Sequence, residues 1–183
     1  MAKSITTAVP IVTSRKTVFP GKRFHYEQLT VQHPSGHVHT RELVRHPGAC
    51  IIVPRLDDGR IILIRCWRAS VEKPLLELPA GTLEPGEPPI KTAGRELIEE
   101  AGYEAGEIVP LGDFYTSPGL SDEVMHAFFA TNLKHVGQQL EPYEHITLVP
   151  VTPAAAFAAL DSGELRDAKS MLALFLAQRR GLI

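Results

Sequence analysis

The stretch Gly81–Tyr103, GTLEPGEPPIKTAGRELIEEAGY, holds five carboxylates, Glu84, Glu87, Glu96, Glu99 and Glu100, in a chain whose formal charge is only −2. Pro88 and Pro89 suit the first turn of a helix and Gly102 suits its exit. On that helix Ile90, Ala93, Leu97, Ile98 and Ala101 are expected to share an apolar face, with Glu96, Glu99 and Glu100 together on another. Like charges three and four residues apart repel by a few tenths of a kcal/mol per pair. Acid at a helix C-terminus also opposes the macrodipole. Two readings compete. One is a solvated acidic face; the other is a site for a hard divalent cation, which takes carboxylate oxygens and would cancel the repulsion.

The remainder of the chain sets the frame. Its 183 residues suit one ordinary domain with a small accessory piece, and 44% hydrophobic content supplies a core. The near-neutral charge gives no footprint for nucleic acid or an anionic membrane. The N-terminal segment MAKSITTAVPIVTSRKTVFPGKR has no leader-length apolar run, and no later run approaches a membrane span. The expected location is the cytoplasm, with Cys50 and Cys66 reduced and half-buried.

RFHYEQLTVQ and HVHTRELVR read as two strands joined at Pro34-Ser35-Gly36. His25, His33, His37, His39 and His46 fall in this region, and alternation is expected to scatter them over both strand faces as solvated side chains. ACIIVPRL and RIILIRCW flank Asp57-Asp58-Gly59 and read as a β-hairpin. A three-residue loop sets Leu56 opposite Arg60 and Cys50 opposite Cys66; a two-residue loop shifts that pairing by one. LLELPAG, EIVPLGDFYTS, EVMHAFFATNL and HITLVPVT read as further strands. PAAAFAALDSGE reads as a short helix. DAKSMLALFLAQRR reads as a second, with its apolar face on Met171, Leu172, Phe175 and Leu176 and Gly181 as its stop. The alternation of strands and helices argues for layered α/β packing.

The opening stretch resembles the Nudix box, G-x5-E-x7-R-E-U-x-E-E-x-G-U, with U a bulky aliphatic residue. Gly81, Glu87, Arg95, Glu96, Leu97, Glu99, Glu100 and Gly102 match, and only Tyr103 departs mildly. The resemblance implies a three-layer α/β/α sandwich with a mixed sheet. It also implies hydrolysis of a nucleoside diphosphate linked to another moiety, with Mg²⁺ or Mn²⁺. The implied metal ligands are Glu96 and Glu100, then Glu99 and the Ala80 carbonyl. Arg95, with Glu87, is implied to hold the glutamates in place, and Gly81 to let the backbone approach the ion.

RELVRHPGA, ILIRCWR, LLELPAGTLEPGE, YTSPGLSDE and DAKSMLAL extend the likeness to the ADP-ribose pyrophosphatase branch, as does Pro118, 16 residues beyond Gly102. That branch yields AMP and ribose 5-phosphate. It implies a small N-terminal antiparallel β domain over residues 1–46, serving dimerisation and substrate contact, and a Nudix hydrolase domain over 47–183. By resemblance Arg68 contacts phosphate, Arg41 and Glu42 lie near the base, and Glu123 meets the terminal ribose hydroxyls. The general base of the branch lies on a loop after the box. Here Glu144 is the first choice and Glu141 the second, with Glu99 in the box as the fallback. A GDP-mannose or other nucleotide-sugar pyrophosphatase has a similar layout. An ADP-ribose-binding sensor would have lost box carboxylates that this chain retains.

Overall fold

The computed structural model describes residues 8–183; the first seven residues of the segment read above as lacking a leader lie outside the described residues. The described residues divide into two compact units, one of residues 8–47 with 117–123 and one of residues 48–116 with 124–183.

In the first unit β1 (Ile11–Pro20), β2 (His25–Gln32) and β3 (Val38–Arg45) form an antiparallel sheet in that order. Two of these strands were expected. β1 was not, because every one of its side chains is exposed and no buried face imposes alternation on its sequence. The 117–123 segment joins the end of β3. The Val44 amide donates to the Leu120 carbonyl at 2.9 Å, and Asp122 accepts from the His46 amide at 2.9 Å and pairs with Arg45.

The β2–β3 register also corrects the histidine expectation. Val31 lies opposite His39 and Gln32 opposite Val38, and the His33 amide donates to the His37 carbonyl at 2.8 Å. With a side-chain period of two, His33, His37 and His39 therefore share one face, as does His25.

The second unit carries two sheets. One has the order β10 (Ile146–Val151), β5 (Ile61–Arg68), β6 (Lys73–Glu77) and is antiparallel. The other has the order β7 (Ala80–Thr82), β4 (Ala49–Pro54), β9 (Val124–His135), β8 (Tyr103–Tyr115) and is mixed, with β4 and β9 parallel. The helices are α1 (Pro89–Ala101), α2 (Pro153–Asp161) and α3 (Ala168–Arg179). β4 is buried along its whole length, so both its faces are apolar. Cys50 and Ile52 pack with Ala93, Leu97 and Ala101 of α1. Ile51 and Val53 pack with Ala156 of α2 and Ala173, Leu174 and Ala177 of α3. Strands with helices on both faces make the α/β/α layers that the box implied.

The expected hairpin is corrected. Its turn forms as read, with the Leu56 amide donating to the Arg60 carbonyl at 2.8 Å and Gly59 at φ 85°. Pairing then stops at one bridge, Arg55 to Ile61, and the two strands enter different sheets. Cys50 consequently lies opposite Gly81 and His126, and Cys66 opposite Leu75 and Ile146. Both thiols are free and buried. Each strand is apolar on two faces and buries more surface between two neighbours than a lone hairpin allows.

Two helix faces differ from expectation. The buried residues of α1 are Thr92, Ala93, Glu96, Leu97, Glu100 and Ala101, while Ile90 at its start is exposed. Glu96 and Glu100 thus belong to the packed face rather than to a separate acidic one. α3 buries Ser170, Ala173, Leu174 and Ala177, whereas Leu172 and Phe175 are exposed. Small residues let this helix approach the sheet closely. The Ser170 hydroxyl accepts from the buried Leu78 amide at 2.8 Å, which fixes the rotation. The stop at Gly181 is as read, with φ 67°. No described helix is long and apolar enough to cross a membrane.

Candidate active site

α1 begins at Pro88, an extended N-cap, and ends at Gly102 in the left-handed region with φ 75°. Its last turn is pinned from outside. The Gln139 amide donates to the Glu99 carbonyl at 3.0 Å and the Gln138 side-chain amide to the Glu100 carbonyl at 2.6 Å. These bonds satisfy carbonyls that a helix end leaves open, and they fix the turn bearing the glutamates.

β7 passes directly beneath that turn. The Ala80 amide donates to Glu100 Oε2 at 2.8 Å. At Gly81 a Cβ would overlap the Glu96 carboxyl, so only glycine leaves room for it. Arg95 ties the acids together. Its Nε and Nη2 fork onto Glu87 at 3.2 and 3.1 Å. Its Nη1 reaches Glu96 Oε1 and Glu99 Oε2, both at 2.8 Å. Glu87 also accepts from the Thr92 hydroxyl at 2.8 Å.

Three glutamates, Glu87, Glu96 and Glu99, share the Arg95 guanidinium, while Glu100 lies on the Ala80 amide, and the titration behaviour follows. Burial pushes the Glu100 carboxyl up to about 8, against the Ala80 hydrogen bond and with help from the Glu96 charge. Burial likewise raises Glu96, opposed by Arg95. The Arg95 fork holds Glu87 below the usual carboxylate range. Two buried carboxyls that resist ionisation, beside a third with an exposed edge, form an oxygen-donor set short of positive charge, which suits a hard divalent cation. Among the described residues no three metal-type side chains already surround one point; the Glu96 and Glu99 oxygens point to Arg95.

Glu144 stands half-buried just before β10. Its charge contributes to the raised values of both Glu96 and Glu100, which brings it within electrostatic reach of the box. Glu141 is exposed, and its amide donates to Glu144 Oε2 at 2.9 Å.

Arg68, at the end of β5, is gripped by a residue that sequence reasoning missed. Glu77 of β6 is 1% exposed and receives Arg68 Nε at 2.8 Å and Nη2 at 2.7 Å. Lys169 of α3 adds a bond to Glu77 Oε2 at 2.6 Å and one to Asp167 at 2.8 Å. Burial disfavours the Glu77 charge, yet Arg68 and Lys169 outweigh it and lower the pKa. The available signal was a lone acid within the apolar run LLELPAG.

In the first unit Arg41 and Glu42 are strand neighbours and point to opposite faces of β3. Glu42 lies on the Tyr26 side and raises the phenol's pKa. Glu123 places its carboxylate 3.5 Å from His46 Nε2, and the Phe24 ring stacks on His46 with centroids 4.7 Å apart.

Residues 44–174 match the NUDIX domain. With the box geometry above, that places the chain in the Nudix family: it is a Nudix hydrolase, an enzyme that cleaves pyrophosphate bonds of nucleotide derivatives. It is 37% identical over 163 residues to an ADP-ribose pyrophosphatase of Bacillus subtilis (strain 168), covering 88% of each chain. It is 35% identical over 159 residues to a methanol dehydrogenase activator of Bacillus methanolicus, covering 86% of each. A GDP-mannose pyrophosphatase of Citrobacter koseri is 33% identical over 156 residues, covering 79% of this chain and 81% of its own. A crystal structure of an ADP compounds hydrolase superposes with a TM-score of 0.84 at 24% identity, covering 98% of this chain and 100% of that one.

Proposed function

We propose that this enzyme hydrolyses ADP-ribose to AMP and ribose 5-phosphate with Mg²⁺ or Mn²⁺ as cofactor. The observation that carries the reading is the buried pair Glu96 and Glu100, packed against the Ala80–Gly81 backbone, whose burial disfavours their ionisation unless a cation faces them. Similarity to ADP-ribose pyrophosphatase along most of both chains points to the substrate.

In this reading Glu96, Glu99, Glu100 and the Ala80 carbonyl hold the ion, which when bound neutralises the diphosphate and makes a water more acidic. Arg95 and Glu87 keep the carboxylates in position. Arg68, oriented by Glu77, binds a phosphate oxygen. Glu123 accepts from the terminal ribose hydroxyls, and Arg41 and Glu42 lie near the adenine. Glu144 takes the proton from the attacking water, with Glu141 and Glu99 as the rivals for that task.

Residues 1–46 are assigned to dimerisation and substrate contact, and 47–183 to hydrolysis. The assembly is a twofold homodimer in the cytoplasm, with no nucleic-acid or membrane partner. The likeness to GDP-mannose pyrophosphatase supports a second substrate reading. A panel of ADP-ribose, GDP-mannose and other nucleotide sugars, assayed with Mg²⁺ in heavy-oxygen water, separates the two and locates the attacked phosphorus. The expected products are AMP and ribose 5-phosphate, with no turnover in excess EDTA. A preference for GDP-mannose, or full activity in chelator, overturns the proposal.

A further inference from the structure

We propose that His33, His37 and His39 form a binding site for one borderline divalent transition ion, such as Zn²⁺, at the tip of the β2–β3 hairpin.

Strand register gives the three rings a common face, and their spacing suits one ion. Ring centroids are 5.0 Å apart for His33–His39 and 6.0 Å apart for both His33–His37 and His37–His39. Two imidazoles bound at a tetrahedral angle to one ion through zinc–nitrogen bonds of about 2.0–2.1 Å have ring centres about 5 Å apart. The hairpin holds the His33 and His39 rings at that separation and the His37 ring within about 1 Å of it.

The second observation is independent of spacing. His39 Nδ1 is a buried side-chain nitrogen with no hydrogen-bond partner among the described residues. A buried polar atom left unpaired is costly, and each such atom calls for a partner. An ion supplies one. Partial burial, then the Arg41 charge and the two other imidazoles, lower the pKa of His39 and favour the neutral ring whose lone pair binds metal.

Among the described residues no three metal-type side chains surround one point, so the ring nitrogens converge only when the rings turn. His37 is exposed and His33 half-buried, so turning both rings inward disturbs no packed core. Arg41 shares this face and repels a cation, which sets a ceiling on affinity. Imidazole donors select zinc, copper or nickel and reject magnesium, whereas the box glutamates have the opposite preference. The two sites are therefore separable by metal.

The test uses the full chain without a polyhistidine tag, stripped by chelator and returned to excess Mg²⁺. Zinc is titrated calorimetrically, and cobalt binding is followed by visible absorption. The expected result is one Zn²⁺ per chain and a cobalt spectrum of a nitrogen-ligated ion. His37→Ala and His39→Ala each weaken zinc binding by ~10-fold or more, and His37→Ala removes the cobalt spectrum. His25→Ala, on the same face but outside the trio, and Glu100→Gln leave zinc binding unchanged. His37 is exposed, so its substitution leaves the fold intact; a thermal shift with zinc in the wild type but not in His37→Ala is the second readout. No zinc uptake, equal uptake by the histidine variants, or loss of uptake in Glu100→Gln overturns the proposal.

Discussion

Gly81 has a carboxylate where a side chain would go. Gly81→Ala forces a Cβ into the Glu96 carboxyl, so either Glu96 swings away or β7 shifts. The expected outcome is weaker Mn²⁺ binding and a kcat reduced by roughly tenfold or more, since small displacements of positioned groups are costly; unchanged Mn²⁺ affinity by calorimetry counts against it. Glu100 makes a second prediction through its proton. Burial raises its folded pKa to about 8, above the ordinary carboxylate value near ~4.3. The folded protein then holds a proton that the unfolded chain releases. Stability from that proton is full below the ordinary value and is lost as pH rises through about 8. In chelator, the urea midpoint should therefore fall from roughly pH 5 to pH 8 and level off above that. Glu100→Gln, which keeps the group neutral, should flatten most of that fall, leaving the smaller share from Glu96. A wild-type midpoint that is constant or rises over this range rules the account out. The two loop acids divide by kinetics. Glu144→Gln should lower kcat about 10²–10⁴-fold with little change in substrate affinity, and Glu141→Gln should do neither. The reverse pattern moves the base to Glu141, and no effect from either moves it to Glu99.

At the level of elements, the clasp of Glu77 on Arg68 and Lys169 joins β5, β6 and α3. Glu77→Gln strands two cations against a buried position. Arg68 is partly exposed and recovers some hydration, so the expected loss is about 2–3 kcal/mol rather than the full cost of a broken buried pair. Urea unfolding measures it, and a loss near zero removes the clasp from the account of stability. None of this was legible beforehand, because Lys169 lies 92 positions from Glu77 and no local pattern joins them. The box was legible for the opposite reason: its acids sit on one helix at fixed spacing between a proline start and a glycine stop. Even there the rotation was misread. Ile90 looked like core and Glu96 and Glu100 looked like surface, because hydrophobicity predicts burial only where no site requires buried charge. The Asp57-Asp58-Gly59 turn was legible from its chemistry, yet the partners of β4 and β5 were not. Turn type is local, whereas choosing a sheet depends on residues far along the chain. α3 failed for a third reason, since its apolar residues lie on several sides and only the Ser170–Leu78 bond singles out one.

For the whole molecule, the first unit raises the question of how a thin sheet persists. β1 is an edge strand with Ile11, Val18 and Phe19 each more than half exposed, and its sheet has only two other strands. Edge strands with bare apolar side chains invite pairing, and natural proteins cover or charge them. The proposed twofold dimer covers them with a second copy, in which the same patch meets itself. Light scattering should then give twice the chain mass at micromolar concentration. Val18→Asp combined with Phe19→Asp places charge in that contact and leaves residues 48–183 unsubstituted, so it should shift the mass toward one chain. If residues 1–46 also help bind substrate across the dimer, the same variant should raise KM for ADP-ribose while kcat, which the proposal assigns to the box and Glu144, changes far less. A dimer that survives both charges removes β1 from the interface. A monomer with unchanged KM keeps the interface but removes the shared site.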